Sequence, residues 1–347
     1  MKLGIIGLPQ AGKSTIFAAL TGARGDAGDR GSRKDLRIAA ITVLDERIDF
    51  LSDMYRPKKT TYAKIEYLLP PETGSSAGAG SEGAFWNQVR TCDALLHVVR
   101  NSEGSMGAAP TPELDFRKLE EEMILNDLVV AEKKIERIDL DKKRGKMPDG
   151  EEASLIMSCH ELLEQGAPLR NAPELASAPL LKGFTFLSAK PMLVIVNNDD
   201  EDEALPLWDQ KPEGVDLFVV RGSLEMEIAS MSSEEAEEFL EAYHIQESAL
   251  DRVIRHSFRI LNRISFFTVG SDEVKAWPIA AGTPALEAAG AVHSDIQQGF
   301  IRAEVVSFED LKAHGTFNGA KKAGLVRLEG KGYEVKDGDI INFRFNV

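Results

Sequence analysis

This 347-residue sequence predicts an α/β fold: a mostly parallel sheet, interrupted by a helical insertion and followed by a small β-rich domain. Three observations predict it. Short apolar runs rich in β-branched residues recur before residue 110 and again between 183 and 261, as expected of strands buried on both faces. Between these regions the strand signal vanishes and a helical seam replaces it. From Asn262 onward, short alternating segments are separated by glycine turns.

Taken in order, KLGIIGLPQAGKSTIFAALTG opens with a strand at Leu3 to Ile6, a tight loop, and a helix from Lys13 to about Leu20 that ends at Gly22. Further strands are expected at Ile38 to Val43, Ile65 to Leu69, Ala94 to Val99, Met192 to Val196 and Leu217 to Val220. The insertion covers 111–182. There Ile124, Leu128, Ala131, Ile135 and Ile138 recur at helical spacing, and Ile156, Cys159 and Leu163 form a second helical stripe after the polar loop RGKMPDGEE. Two antiparallel helices account for both patterns. Lys142, Lys143, Arg144 and Lys146 fall at the hairpin tip, either solvated or set against a phosphate backbone. The expected domains are therefore 1–110 with 183–261, the insertion 111–182, and the terminal domain 262–347.

A net charge of −15 argues against a basic surface for naked DNA, so a polyanionic partner must be met locally. The terminal domain is nearly neutral, with ten Lys and Arg against eleven Asp and Glu, so the acidic excess lies in the rest of the chain. The two cysteines, Cys92 and Cys159, form no CxxC pair and fit a reducing compartment, the cytoplasm. No apolar run has the length of a membrane span, and no membrane partner is expected. The histidines show no metal-ligand spacing such as H-x-x-x-H.

The chemistry concentrates near the start. Gly7-Leu8-Pro9-Gln10-Ala11-Gly12-Lys13-Ser14 matches G-x-x-x-x-G-K-[ST] between a strand and a helix, where the mechanism requires it. Glycines let main-chain N–H groups turn toward phosphates, and the helix N-terminus adds partial positive charge. Residues Pro9 to Thr15 would cradle a nucleoside triphosphate. Lys13 would reach the β- and γ-phosphates, and the Ser14 hydroxyl would ligate Mg²⁺.

The start GIIGLPQAGKSTIFAALTG, the segments CDALLHVVR and SAKPMLVIVNNDDE, and the blocks AVHSDIQQGFIRAEVVSFEDL and LEGKGYEVKDGDIINFRFNV resemble the YchF subfamily of Obg-like P-loop ATPases and GTPases. The resemblance spans nearly the whole chain. It is most specific at the C-terminus and weakest between about Arg24 and Gly83. It implies a P-loop domain interrupted by a coiled-coil arm, then a TGS domain of β-grasp type. It also implies ribosome binding and hydrolysis of ATP, sometimes GTP.

Base selection is expected at Asn197-Asn198-Asp199-Asp200, where many GTPases carry Asn-Lys-x-Asp. Here Asn198 stands in place of the lysine. The family pattern ends in Glu where this chain has Asp200, so the resemblance favours ATP while Asp200 favours GTP. Gly222 and Ser223, after Arg221, match the family's second base loop in position.

The hydrolytic signals are degraded. KIEYLL runs into PPETG without a DxxG motif, and no switch threonine is evident, Ser32 and Thr42 being weak substitutes. Glu66 and Glu72 are the nearest carboxylates. The resemblance implies a catalytic role for His97, whose neutral imidazole would orient or deprotonate a water. A binding module that holds nucleotide without turnover is the alternative.

Overall fold

The computed structural model describes residues 1–24, 36–71, 79–103, 109–147, 149–242 and 248–346. Its elements in chain order are β1 (Lys2–Ile6), α1 (Lys13–Arg24), β2 (Arg37–Thr42), α2 (Glu46–Tyr55), β3 (Lys59–Thr61), β4 (Lys64–Leu69), α3 (Ala79–Arg90) and β5 (Ala94–Asn101). Next come α4 (Pro112–Lys143), α5 (Gly150–Glu164), α6 (Pro173–Ala176), β6 (Met192–Asn198), β7 (Asp216–Val220), α7 (Gly222–Ser230), α8 (Ser233–Ala242) and α9 (Ala249–Ile260). The chain finishes with β8 (Arg263–Val269), β9 (Glu273–Ala280), α10 (Ala285–Val292), α11 (Ser294–Gln298), β10 (Phe300–Ser307), α12 (Phe308–His314), α13 (Phe317–Lys322), β11 (Arg327–Glu329) and β12 (Asp339–Phe345). Contacts divide it into two units, Met1–Ile41 with Glu66–Val253, and Thr42–Ile65 with Ile254–Val347.

In the first unit the sheet order is β2-β4-β1-β5-β6-β7, with β1 parallel to β4 and β5, and β6 parallel to β5 and β7. Apolar runs suit this position because both faces are covered: Leu95, Val99, Val194 and Val196 are buried in one cluster with Phe116 and Met123 of α4. β1 lies between β4 and β5, with the earlier strands β2 and β4 on one side and the later strands β5, β6 and β7 on the other, so its carboxyl end opens where the connections diverge, the usual ligand position of such sheets.

Within 111–182, α4 and α5 form a helical pair, and the short α6 follows them. Pro112 starts α4 after Thr111, where its missing N–H costs nothing, and the helix runs 32 residues. Its buried Ile124, Ala131 and Ile138 follow the predicted seam, and the first two meet Ile156, Cys159 and Leu163 of α5 in one cluster. Asp149 caps α5 by accepting the amides of Glu151 and Glu152. At the arm's base the fully buried Asp127 accepts the Leu187 and Ser188 amides at 2.9 and 2.7 Å and Arg90 Nη1 at 3.0 Å. Burial nevertheless pushes the Asp127 carboxyl above its ordinary range, against the pull of these donors. Both cysteines are free and buried.

The second unit carries a mixed sheet ordered β11-β10-β12-β8-β9-β3. β10 is antiparallel to β11 and β12, β8 is antiparallel to β9, and the β12–β8 and β3–β9 pairings are parallel. Ala285, Ala288 and Ala289 of α10 pack with Phe266, Val305 and Ile341. The sequence boundary at Asn262 does not capture this unit, because 42–65 join it through α2 and through β3, which supplies an edge strand. Arg47 of α2 reaches Asp337 at 2.7 Å across 290 residues of chain. Among the described residues no helix is long and apolar enough to cross a membrane.

Candidate functional site: a phosphate loop braced by Asn197

The loop after β1 uses backbone conformations that few residues tolerate. Gly7, Gln10 and Gly12 have φ of 154°, 66° and 93°. At Gly7 a Cβ would lie 2.3 Å from the carbonyl oxygen of Val98 on β5, and at Gly12 it would lie 2.2 Å from Asn197 Nδ2. Both positions therefore need glycine for conformation and for space. Ala11 donates to Leu8 O at 3.2 Å, and Ile16 donates to Gly12 O at 2.9 Å as α1 begins. The first turn of α1 carries no acidic residue, so its partial positive charge stays available to an anion. Lys13 is largely buried, and its Nζ donates to Leu8 O at 2.8 Å, which ties the ammonium back across the loop.

Asn197, at the end of β6, joins this loop to the second base segment. Its Nδ2 donates to Ala11 O at 3.2 Å, and its Oδ1 accepts the Gly222 N–H at 3.0 Å. Gly222 is also cramped, since a Cβ there would stand 2.7 Å from Asn197 Oδ1. Asp200 accepts the Leu224 N–H at 3.2 Å through Oδ1, and Arg221 donates to the Asp200 carbonyl at 3.3 Å. The structure thus brings Ala11, Gly12, Asn197, Asp200 and Gly222 into one hydrogen-bonded neighbourhood. Ser223 follows on α7 and is exposed. Asn198 turns away from it, donating to the carbonyls of Asp202 and Ala204 and accepting from Asn101. The site the lysine fills in many GTPases is therefore spent here on shaping the acidic loop.

Ser14 meets an arginine and His97 lies inside the sheet. The Ser14 Oγ accepts from Arg37 Nη2 at 2.9 Å, and the Arg37 guanidinium lies 5.1 Å from the Phe17 ring centre. The hydroxyl meant for a metal faces a fixed cation instead. Among the described residues no group of three or more His, Cys, Asp or Glu is placed to hold a metal. A magnesium ion at Ser14 would take its other ligands from phosphate oxygens and water, and Arg37 would have to release the hydroxyl.

His97 sits in register with Ile6 on β1 and Val194 on β6. It is 1% exposed, stacks on Phe116 at 5.3 Å, and among the described residues neither ring nitrogen has a hydrogen-bond partner. Burial, with the nearby charges of Arg170 and Lys13, pushes its pKa down to about 3. In this arrangement the neutral imidazole is sealed from solvent within the sheet. Glu66 lies on β4, where its amide donates to Met1 O. Thr42 ends β2 and belongs to the second unit. Ser32 and Glu72 lie outside the described residues.

The fold compares with solved structures along its whole length. The YchF GTPase of Schizosaccharomyces pombe matches with a TM-score of 0.86 at 28% identity, covering 99% of this chain and 97% of that one. The ribosome-binding ATPase YchF of Bacillus subtilis is 36% identical over 364 residues, spanning 99% of each chain. The chain belongs to the YchF family. The relative of the same name in Escherichia coli O157:H7 is also 36% identical, over 100% of this chain and 99% of that one. A family model described as YchF-GTPase_C, protein of unknown function (DUF933), matches residues 263–346. A GTP binding protein from Pyrococcus horikoshii shares the fold at a TM-score of 0.59 and 18% identity.

Two relationships at this YchF site leave no trace in the sequence motifs. Arg37 follows a segment without a recognisable pattern, and only the folded β2 carries it to Ser14. The bracing role of Asn197 is hidden because the Asn-x-x-Asp spacing reads first as base recognition.

Proposed function

We propose that this chain is a nucleotide-dependent factor of the ribosome that binds ATP in its phosphate loop and hydrolyses it slowly in the cytoplasm. The observation that carries the reading is the loop itself. Its positive-φ glycines, its Lys13 and the start of α1, free of acidic residues, form a cradle for a triphosphate, and Asn197 fastens that cradle to the base segment. The bacterial relatives matched along their full length are ribosome-binding ATPases by name, and they supply the ribosome and the adenine nucleotide.

The Asp200 Oδ1 accepts the Leu224 amide, but its carboxylate keeps lone pairs on both oxygens, so the adenine preference rests on the names of the relatives and not on this bond. GTP remains a substrate of lower affinity in this account. Magnesium would supply charge neutralisation to the triphosphate, with Ser14 as its protein ligand, but Arg37 engages that hydroxyl. The protein's own contribution to the reaction is to bind and orient the phosphates, with Lys13 placed to neutralise developing charge.

A second reading, nucleotide binding without turnover, is favoured by the sealed His97 and the missing DxxG. One experiment separates the two. Purified protein is incubated with γ-labelled ATP with and without ribosomes, and released phosphate is counted. Release that rises with ribosomes supports the enzyme. Intact ATP recovered from the protein after long incubation supports the binding module.

A further inference from the structure

The guanidinium of Arg37 occupies the ground that a divalent cation takes in many phosphate loops. It donates to Ser14 Oγ at 2.9 Å, and the Phe17 ring supports it at 5.1 Å, one turn along the same face of α1. Two independent contacts therefore hold a permanent positive charge beside the helix start that receives the phosphates. The planar fork carries five N–H donors, so a bond to one serine hydroxyl does not exhaust it. Guanidinium–phosphate pairs are charge-assisted and bidentate, and arginine does not deprotonate near neutrality.

We propose that Arg37 serves as a built-in cation for the triphosphate, so that this protein binds ATP with little dependence on magnesium. The inference rests on the phosphate-loop reading above and deepens it by assigning a residue to charge neutralisation. On nucleotide arrival the fork turns from Ser14 to the non-bridging phosphate oxygens while Phe17 keeps its stem in place. A fixed arginine supplied within the same chain is an established way to neutralise transferring phosphoryl charge. It also accounts for the absence of a DxxG carboxylate, since a site whose cation is covalently attached has less need of a residue that orients hydrated metal.

The test is calorimetric titration of the full chain with ATP, once with excess magnesium and once with a chelator. Wild type is expected to bind in both, with dissociation constants within about threefold of each other. Arg37→Met is expected to lose about tenfold or more in affinity under chelation, while added magnesium restores much of the loss. Arg37→Lys, which keeps the charge but not the fork, should fall between them. Binding by wild type in magnesium that disappears under chelation would overturn the proposal and leave the phosphate-loop reading intact. Equal affinities of wild type and Arg37→Met under chelation would also overturn it. No binding of ATP in either buffer would overturn both, and the wild-type comparison alone decides the matter if the variants fail to fold.

Discussion

Asn197 accepts the Gly222 amide at 3.0 Å, although 25 residues of chain separate them, and the same side chain donates to Ala11 of the phosphate loop. One amide group therefore sets the spacing between the segment that holds phosphate and the segment placed to meet the base. Asn197→Ala should leave a part-buried amide and carbonyl without this partner. Stability is expected to fall by about 1–3 kcal/mol and ATP affinity by about tenfold. Denaturant unfolding and calorimetry check the two effects separately.

Gly12 faces the other side of that side chain. Gly12→Ala must fit a methyl 2.2 Å from Asn197 Nδ2 at a φ of 93°, which side chains rarely adopt. The loop or Asn197 must shift, and ATP binding should fall below detection in a titration that saturates wild type. Gly150→Ala, where a Cβ meets open space, should bind as wild type does.

His97 predicts a pH dependence of stability. Its ordinary value of 6.5 is lowered to about 3 in the folded chain, so between those values the unfolded chain binds the additional proton. The stabilisation is fully present above pH 6.5 and is lost as the pH falls toward 3. From pH 7 to pH 5, wild type should lose about 2 kcal/mol more than His97→Leu. Denaturant midpoints across that range measure the difference. If the buried imidazole takes no part in orienting water, the same variant keeps ribosome-stimulated phosphate release within about threefold of wild type, well short of the 100-fold cost of losing a general base.

Asp200 caps α7 by accepting the Leu224 amide. Asp200→Ala should weaken ATP and GTP binding equally, by about threefold, through the loosened cap. A loss confined to GTP would assign the carboxylate to guanine. Competition titrations with both nucleotides distinguish the outcomes.

In the second unit Arg47 bonds Asp45 and Asp337, and Asp337 also accepts the Ser265 amide at 2.9 Å. Hydrogen bonds and charge from the two carboxylates outweigh its desolvation and raise the Arg47 guanidinium above its ordinary range. Since Asp337 is half exposed, Arg47→Ala should cost only about 1 kcal/mol, measured as a lower denaturant midpoint.

Much of this arrangement was legible in the sequence. Buried parallel strands carry continuous apolar runs, and the 3.6-residue period of α4 and α5 survives in Ile124, Ala131, Ile156 and Cys159. The phosphate loop is legible because its glycines are dictated by local backbone geometry. The allocation of 42–65 was not legible, because β3 spans only Lys59–Thr61 and depends on pairing with β9, more than 200 residues away. The Arg37–Ser14 bond was hidden for a similar reason: a lone arginine before an apolar strand reads as a solvated charge until tertiary structure supplies its partner. His97 reads as a reactive group because its residue type carries chemistry, whereas burial decides whether that chemistry is available.

The central claim is that the loop from Gly7 to Ser14 holds a triphosphate through main-chain amides and the Lys13 ammonium. Titrating wild type and Lys13→Ala with ATP tests it most directly. The account predicts one nucleotide bound per wild-type chain and an affinity at least about tenfold lower for the variant. Equal affinities, or no uptake of ATP or GTP by wild type, would contradict it.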